Sequence, residues 1–310
     1  MDPLYFSIIP LLLGWFSFRL INNWGKLPSF TFLVQRIIGH VAPKLNRGKH
    51  LSVKGLLFCL LLMGFTGWTV YLLTSIFEEW ENLLGLILLS VGVFYGFVGP
   101  SIIHTVQTIF EETEAHPDVA QELTAHISRQ ETYGLEANQL KGLALNTVVE
   151  RMSTHIIAPL FWFGVFDLLG PYGIAGMLTY RCLFILNKTM EGKQALSEFD
   201  RPTAMIYRFA NYLPSRICAF LMLLSSGLPA GGFRQVFKTH QHDAISNRQY
   251  PQDALSVLLK NHKSNLKKSD DESLTDDTIY TINDLHLTVA IIEKTEILMV
   301  ILLLILKLLF

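Results

Sequence analysis

Apolar residues in this chain are bunched into long runs separated by polar stretches, and several runs are longer than the strands or helices of a soluble core require. A hydrocarbon layer about 30 Å thick takes roughly 20 helical residues to cross. Runs of that order cover Leu4–Ile21, Gly55–Phe77, Leu83–Ile103 and Ile156–Leu186. A further run closes the chain from Ile297 and extends upstream through Val289–Ile292, and a weaker amphipathic stretch covers Tyr207–Ser226. The pattern predicts an all-α, polytopic integral membrane protein with about five or six membrane segments and additional amphipathic helices. The run from Ile156 is broken by Asp167, Gly170 and Pro171, so it crosses once or as a bent pair. Irregular backbone at that depth persists only where protein buries it or where it lines a wet cavity. This segment is therefore the first place to look for a site.

The polar stretches set an orientation. From Ile21 to Lys54 there are Lys26, Arg36, Lys44, Arg47 and Lys49 but no acidic residue, which predicts a cytoplasmic loop and an outer N-terminus. Within it, Phe30–Ile38 is apolar at helical spacing between basic residues, the pattern of a helix lying on the inner leaflet. The acidic link Glu78–Asn82 suits the outer side. Residues 104–155 form a polar helical region, with a start near Pro117, a turn at Gly134–Leu135 and continuous helix through Glu150. Residues 227–288 form a soluble loop region. Its Lys260, Lys263, Lys267 and Lys268 precede Asp270, Asp271, Glu272, Asp276 and Asp277, so 261–277 reads as a flexible insertion. The whole chain, 1–310, is expected to be one membrane domain. Its first run lacks a basic leader and a small-residue cleavage site, so it reads as a permanent helix. No internal repeat is evident.

Composition narrows the classes. Half of the 310 residues are hydrophobic and 16% are charged, and the net charge of −1 predicts no nucleic-acid partner. Cys59, Cys182 and Cys218 lie inside apolar runs without paired spacing, so buried free thiols are expected and neither a disulfide nor a zinc site. Gly92 and Gly96 have the spacing of a helix-packing seam, although glycine is also simply common in membrane helices.

Polar groups near the bilayer are costly and mark function. Those in or beside the runs are Asp167, Arg181, Asn187, Arg208, Asn211 and Arg216, with Glu150, Arg151 and His155 leading into the broken run. Arg208, Asn211, Ser215 and Arg216 fall on one helical stripe beside Pro214, a wall suited to an anion such as phosphate or a propionate. Snorkelling to an interface is the plainer role for the arginines. Glu150 suits Mg²⁺ with waters and substrate oxygens, or a pairing with Arg151 or Arg181. Asp167 is placed to cap a second half-helix. His240, His242 and Asp243 make at most a weak metal corner, and no metal ligands are assigned. No Walker A pattern, nucleophile elbow or HExxH is found.

Several of these residues fall in a recognisable order. Thr132-Tyr-Gly-Leu135, Glu150, Ala158-Pro-Leu-Phe-Trp162 and Gly176-Met-Leu-Thr-Tyr180-Arg181 are followed by Ala210-Asn-Tyr-Leu-Pro-Ser-Arg216, Asn247, Tyr250-Pro251 and Ala254. The order resembles the core of the CobD/CbiB proteins, the membrane adenosylcobinamide-phosphate synthases of cobalamin biosynthesis. That resemblance implies ATP- and Mg²⁺-dependent amide formation between adenosylcobyric acid and aminopropanol or its phosphate. It also implies Glu150 as the catalytic acid of such an enzyme.

The chain departs from the family pattern where that chemistry would be done. The acidic signature before Ala158 keeps Glu150 but has Arg151, Thr154 and His155 at its other polar positions. An expected aspartate is Asn187, and a pair of aspartates is replaced by Tyr207 and Arg208. These changes remove negative charge and add positive charge, which disfavours Mg²⁺ while still accepting an anion. In this the chain resembles the AmpE-like inner-membrane proteins linked to envelope signalling. The expectation is thus a bacterial inner-membrane protein with a polar, anion-accepting cavity, acting as a sensor or accessory protein. Its expected ligand-binding residues are Glu150, His155, Arg181, Asn187, Asn211, Arg216 and Asn247. An active synthase using ATP and Mg²⁺ is the alternative. The lipid bilayer is the expected partner and an anionic small molecule the expected ligand.

Overall fold

Every secondary-structure element among the described residues is a helix, as the apolar and amphipathic periodicities require. The computed structural model describes residues 3–20, 30–79, 83–97, 102–170, 172–191, 197–227, 231–238, 247–269 and 279–309. In chain order the helices begin with α1 (Pro3–Leu20), α2 (Phe30–Leu45), α3 (Leu51–Glu79) and α4 (Leu83–Gly96). Next come α5 (Ile103–Ala115), α6 (Pro117–Ser128) and α7 (Ala137–Met152), the last continuing into one π-helical turn at Ser153–Ile157. Then follow α8 (Ala158–Leu168), α9 (Gly173–Glu191), α10 (Arg201–Ala210) and α11 (Tyr212–Ser225). The series ends with α12 (Gly232–Lys238), α13 (Gln249–Ser269) and α14 (Ile282–Leu309).

The chain divides into two compact units. Residues 1–100, 158–213 and 302–310 make the first, and residues 101–157 and 214–301 make the second. In the first unit α9 is buried almost throughout and packs against α2, α3, α4, α8 and α10. Its core joins Val34, Ile38 and Ala42 of α2 to Phe58, Cys59 and Leu62 of α3 and to Leu183 and Leu186 of α9. Gly92 and Gly96 do form a seam: a Cβ at Gly96 would collide with Met177, and one at Gly92 would press on Ile174. In the second unit α5, α6 and α7 pack on one another, and α13 packs on both α7 and α12. Pro117 opens α6, and Arg129 ends it in the left-handed conformation at φ 57°. A reciprocal capping box between Glu136 and Gln139 starts α7.

One helix among the described residues, over Leu51–Ile76, is long and apolar enough to cross a membrane. Shorter apolar helices cover Ile8–Arg19 and Leu83–Gly96. Large apolar side chains on α3 face outward, with Leu61 70% and Phe65 68% exposed. The run from Ile156 is bent: α8 stops at Leu168, Gly170 takes φ 146°, and α9 starts at Gly173. Asp167 does not serve as the cap of α9. It sits buried in the last turn of α8 and pairs with Lys307 of α14 at 3.0 Å. The segment 261–277, expected to be flexible, is helical as far as Ser269, because α13 buries Leu258, Leu259 and Lys263 along one face. The rest of that segment, 270–278, lies outside the described residues. All three cysteines are free and buried.

Candidate functional site

The polar residues of the first unit gather around α9. Tyr180 is buried and donates its hydroxyl to Asn211 Oδ1 at 2.8 Å, while Asn211 Nδ2 donates to the Tyr207 carbonyl at 2.9 Å. Asn211 thus adds a second donor at a carbonyl that already accepts its own backbone N–H at 3.1 Å, which ties the side chain to the turn between α10 and α11. Trp162 Nε1 donates to the Ala210 carbonyl at 3.1 Å, which ties the Ala-Pro-Leu-Phe-Trp sequence to the same turn. Arg181 is 2% exposed, and its guanidinium lies over the Phe184 ring at 4.7 Å. Its Nη2 donates to Thr31 Oγ1 at 3.3 Å, and its Nη1 has no hydrogen-bond partner among the described residues. Asn187 is buried further along α9.

The second unit assembles a different cluster around the 247–250 turn. Glu150, in the last turn of α7, is held by Arg248 Nε at 3.1 Å. The predicted partners Arg151 and Arg181 are not used. Arg151 instead donates to the Ile127 carbonyl at 3.0 Å, closing the end of α6. Burial pushes the Arg151 guanidinium below its ordinary value; the neighbouring Arg129 charge acts in the same direction and Glu150 opposes it. Arg216 Nη2 donates to the Tyr250 hydroxyl at 2.9 Å, its Nη1 reaches Asn247 Oδ1 at 3.4 Å, and its carbon centre lies 4.2 Å from the Tyr250 ring. His155, in the π turn, shares a hydrogen bond between its Nδ1 and Thr154 Oγ1 at 2.8 Å. The Thr154 hydroxyl also reaches the Glu150 carbonyl at 3.0 Å.

The helix expected to carry Arg208, Asn211, Ser215 and Arg216 is interrupted at Asn211, with α10 ending at Ala210 and α11 starting at Tyr212. Arg208 points outward, whereas Asn211 and Ser215 are buried. Arg248 was missed by sequence reasoning: it stands in a polar stretch with no periodicity to mark it. The adjacent Asn247 and Tyr250 were the available signal. In the α5–α7 bundle, Glu114 pairs with Lys141 at 3.1 Å and Glu112 lies 3.9 Å from His116. His240, His242 and Asp243 lie outside the described residues.

Among the described residues no group of three or more His, Cys, Asp or Glu is placed to hold a metal ion. A magnesium ion wants near-octahedral oxygen ligation, with carboxylates to balance its charge. Here Glu150 is engaged by Arg248 and no such group of ligands surrounds it among the described residues, so the described donor set around Glu150 does not fit Mg²⁺.

These features define a protein, helical throughout its described residues, whose apolar run before Asn187 is bent and whose second unit carries a guanidinium-rich cluster that includes the Glu150–Arg248 pair. Residues 13–277 match the family described as CobD/Cbib protein, and the chain belongs to that family. It is similar to the cobalamin biosynthesis protein CobD of Clostridium perfringens (strain 13 / Type A), at 21% identity over 264 residues, 81% of each chain. It is also similar to the cobalamin biosynthesis protein CobD of Dehalococcoides mccartyi (strain CBDB1), at 27% identity over 154 residues. That match covers 46% of this chain and 48% of the relative, about half the length of each. No solved structure matches the chain. The comparisons do not show the AmpE-like relation.

Proposed function

We propose that this is an integral membrane protein of cobalamin biosynthesis whose guanidinium-rich cluster accepts an anionic group, phosphate or carboxylate, through direct hydrogen bonds. The outward apolar faces of α3 and the family membership support residence in a bilayer, and a bacterial inner membrane is the setting proposed. The relatives' names supply the pathway. Within it two roles divide on catalysis. One is an accessory or sensor protein that binds the anion, as the AmpE-like resemblance implies. The other is the amide-forming synthase with ATP and Mg²⁺.

The Glu150–Arg248 pair at 3.1 Å carries the first reading. It sets a guanidinium against the carboxylate that the synthase signature retains, and Arg216 is fixed at the same turn by Tyr250 and Asn247. Guanidinium groups present paired donors that match carboxylate and phosphate oxygens. Two measurements test the reading. The wild-type gene, with Glu150→Gln as control, is introduced into a strain lacking the synthase; no rescue is expected. Rescue that Glu150→Gln abolishes overturns the accessory role in favour of the enzyme. Calorimetric titration of the purified protein with aminopropanol phosphate reports binding, and Arg216→Gln is expected to weaken it about tenfold or more, the range for a lost charge-assisted hydrogen bond. Binding that is unaltered by Arg216→Gln removes the site.

A further inference from the structure

An apolar groove in the first unit has no part in the site above. It is a groove of about 590 Å³ between α2, α3, α4 and α9, within the range of about 300–1,000 Å³ typical of sites that enclose small ligands. Its floor is made by Val34, Leu62, Leu89 and Leu178, all buried. Its rim carries Phe32, Leu33, Phe65 and Leu73, all exposed. The wall also includes Thr66 and Thr74, but each hydroxyl is turned onto its own helix. Thr66 bonds the Leu62 carbonyl at 2.8 Å and Thr74 the Tyr71 carbonyl at 2.9 Å. Those two hydroxyls are thereby spent, and beside Thr69 and Tyr95 the remaining wall is hydrocarbon.

Past the residues that line the groove, α2 turns basic. On α2, Arg36 follows Phe32 and Leu33 by four and three residues, and His40 and Lys44 continue the same row at intervals of four. Residues at such intervals are neighbours on one helix face. Arg36, His40 and Lys44 are all exposed, and the following turn adds exposed Arg47 and Lys49. The sequence from Ile21 to Lys54 contains no carboxylate to neutralise them. An apolar trough that runs into an unbalanced basic row is complementary to a molecule with a long hydrocarbon part and an anionic head.

We propose that this groove holds an acyl chain of an anionic phospholipid drawn from the surrounding bilayer, with the lipid phosphate resting on the Arg36–Lys44 row of α2. The proposal rests on the membrane residence argued above. A neutral ligand leaves the basic row unused, and a soluble anion leaves the groove unfilled; a phospholipid answers both.

The test uses the full chain expressed in a bacterium whose membrane contains both phosphatidylglycerol and phosphatidylethanolamine. The purified protein is examined by native mass spectrometry for retained lipid. Retained phosphatidylglycerol should exceed its share of the membrane. Arg36→Gln with Lys44→Gln should lower that preference by about fivefold per charge removed, the factor expected of a basic residue beside an anionic headgroup. Thr69→Phe, which narrows the groove without altering charge, should lower retention of both lipids and leave their ratio unchanged. The proposal is overturned by retained lipid at the bulk ratio, by an unchanged preference in the charge variant, or by a free fatty acid or second copy of the chain in the groove. An alkaline wash of membranes separates the two readings. Protein released by the wash overturns membrane residence itself, whereas protein that stays in the pellet without lipid preference overturns only the groove.

Discussion

Replacing Lys263 by methionine should destabilise the second unit more than any surface change of similar size. Lys263 and Asp284 are among the most deeply buried charges of the chain, their side chains 9% and 4% exposed, and Nζ lies 3.5 Å from Asp284 Oδ2. Nζ also donates to the Ile279 carbonyl at 2.6 Å and lies 5.3 Å from the centre of the Tyr280 ring. Breaking a buried ion pair costs about 3–5 kcal/mol, because the remaining charge loses its partner. Asp284 keeps hydrogen bonds from Thr281 N at 2.8 Å and Thr281 Oγ1 at 3.1 Å, and it stands in the first turn of α14, where the helix dipole favours a carboxylate. These retained contacts place the cost at the lower end, about 3 kcal/mol. For a unit of this size that corresponds to a fall in unfolding midpoint of roughly 6–12 °C. Lys263→Met combined with Asp284→Asn removes both charges while the new amide oxygen still accepts from Thr281. The double variant should therefore recover about 2 kcal/mol relative to the sum of the single changes. The assay is thermal unfolding of the detergent-solubilised protein, followed by far-ultraviolet circular dichroism. A single variant within about 1 kcal/mol of wild type, or a double variant as poor as the sum, would refute the reasoning.

Gly96→Leu should lower stability by about 1–3 kcal/mol by overpacking, since even a Cβ there meets the Met177 side chain; an unaltered midpoint would remove the α4–α9 seam. Tyr280 should give the protein an alkaline weakness. Burial, and secondarily the Asp284 charge, raise its phenol above the ordinary value of about 10. The unfolded chain therefore loses that proton first, and stability should be flat below about pH 10 and fall above it. Tyr280→Phe should abolish that part of the slope in pH-dependent unfolding, and an unchanged slope would contradict the assignment.

Helices with strong local signals were legible. Pro117 and the Gly134 turn bracket the start of α6 and the approach to α7, and Gly170 marks the bend between α8 and α9. What the chain did not declare is non-local. Lys307 sits in an apolar run and Asp167 beside a turn, and nothing in spacing couples them; only packing of α14 on α8 does so. Arg248 lies far from Glu150 in sequence, so the nearer arginines were the natural candidates, yet the 247–250 turn is what delivers the cation. Charge density misled at 261–269, where a charged stretch still forms helix because one lysine is buried against Asp284. The interruption at Asn211 within the stretch from Arg208 to Arg216 is a local feature that an unbroken helical wheel cannot represent.

The Asp167–Lys307 pair also has a temporal side. Its two members are 140 residues apart, and at roughly 5–20 residues per second of synthesis the ammonium emerges roughly 7–28 s after the carboxylate. During that interval the carboxylate in the last turn of α8 is made and its ammonium is not, so its burial must be deferred or compensated until Lys307 arrives. Final seating of α8 thus waits on the arrival of α14, so the closing helix acts as a checkpoint for assembly rather than as a terminal ornament.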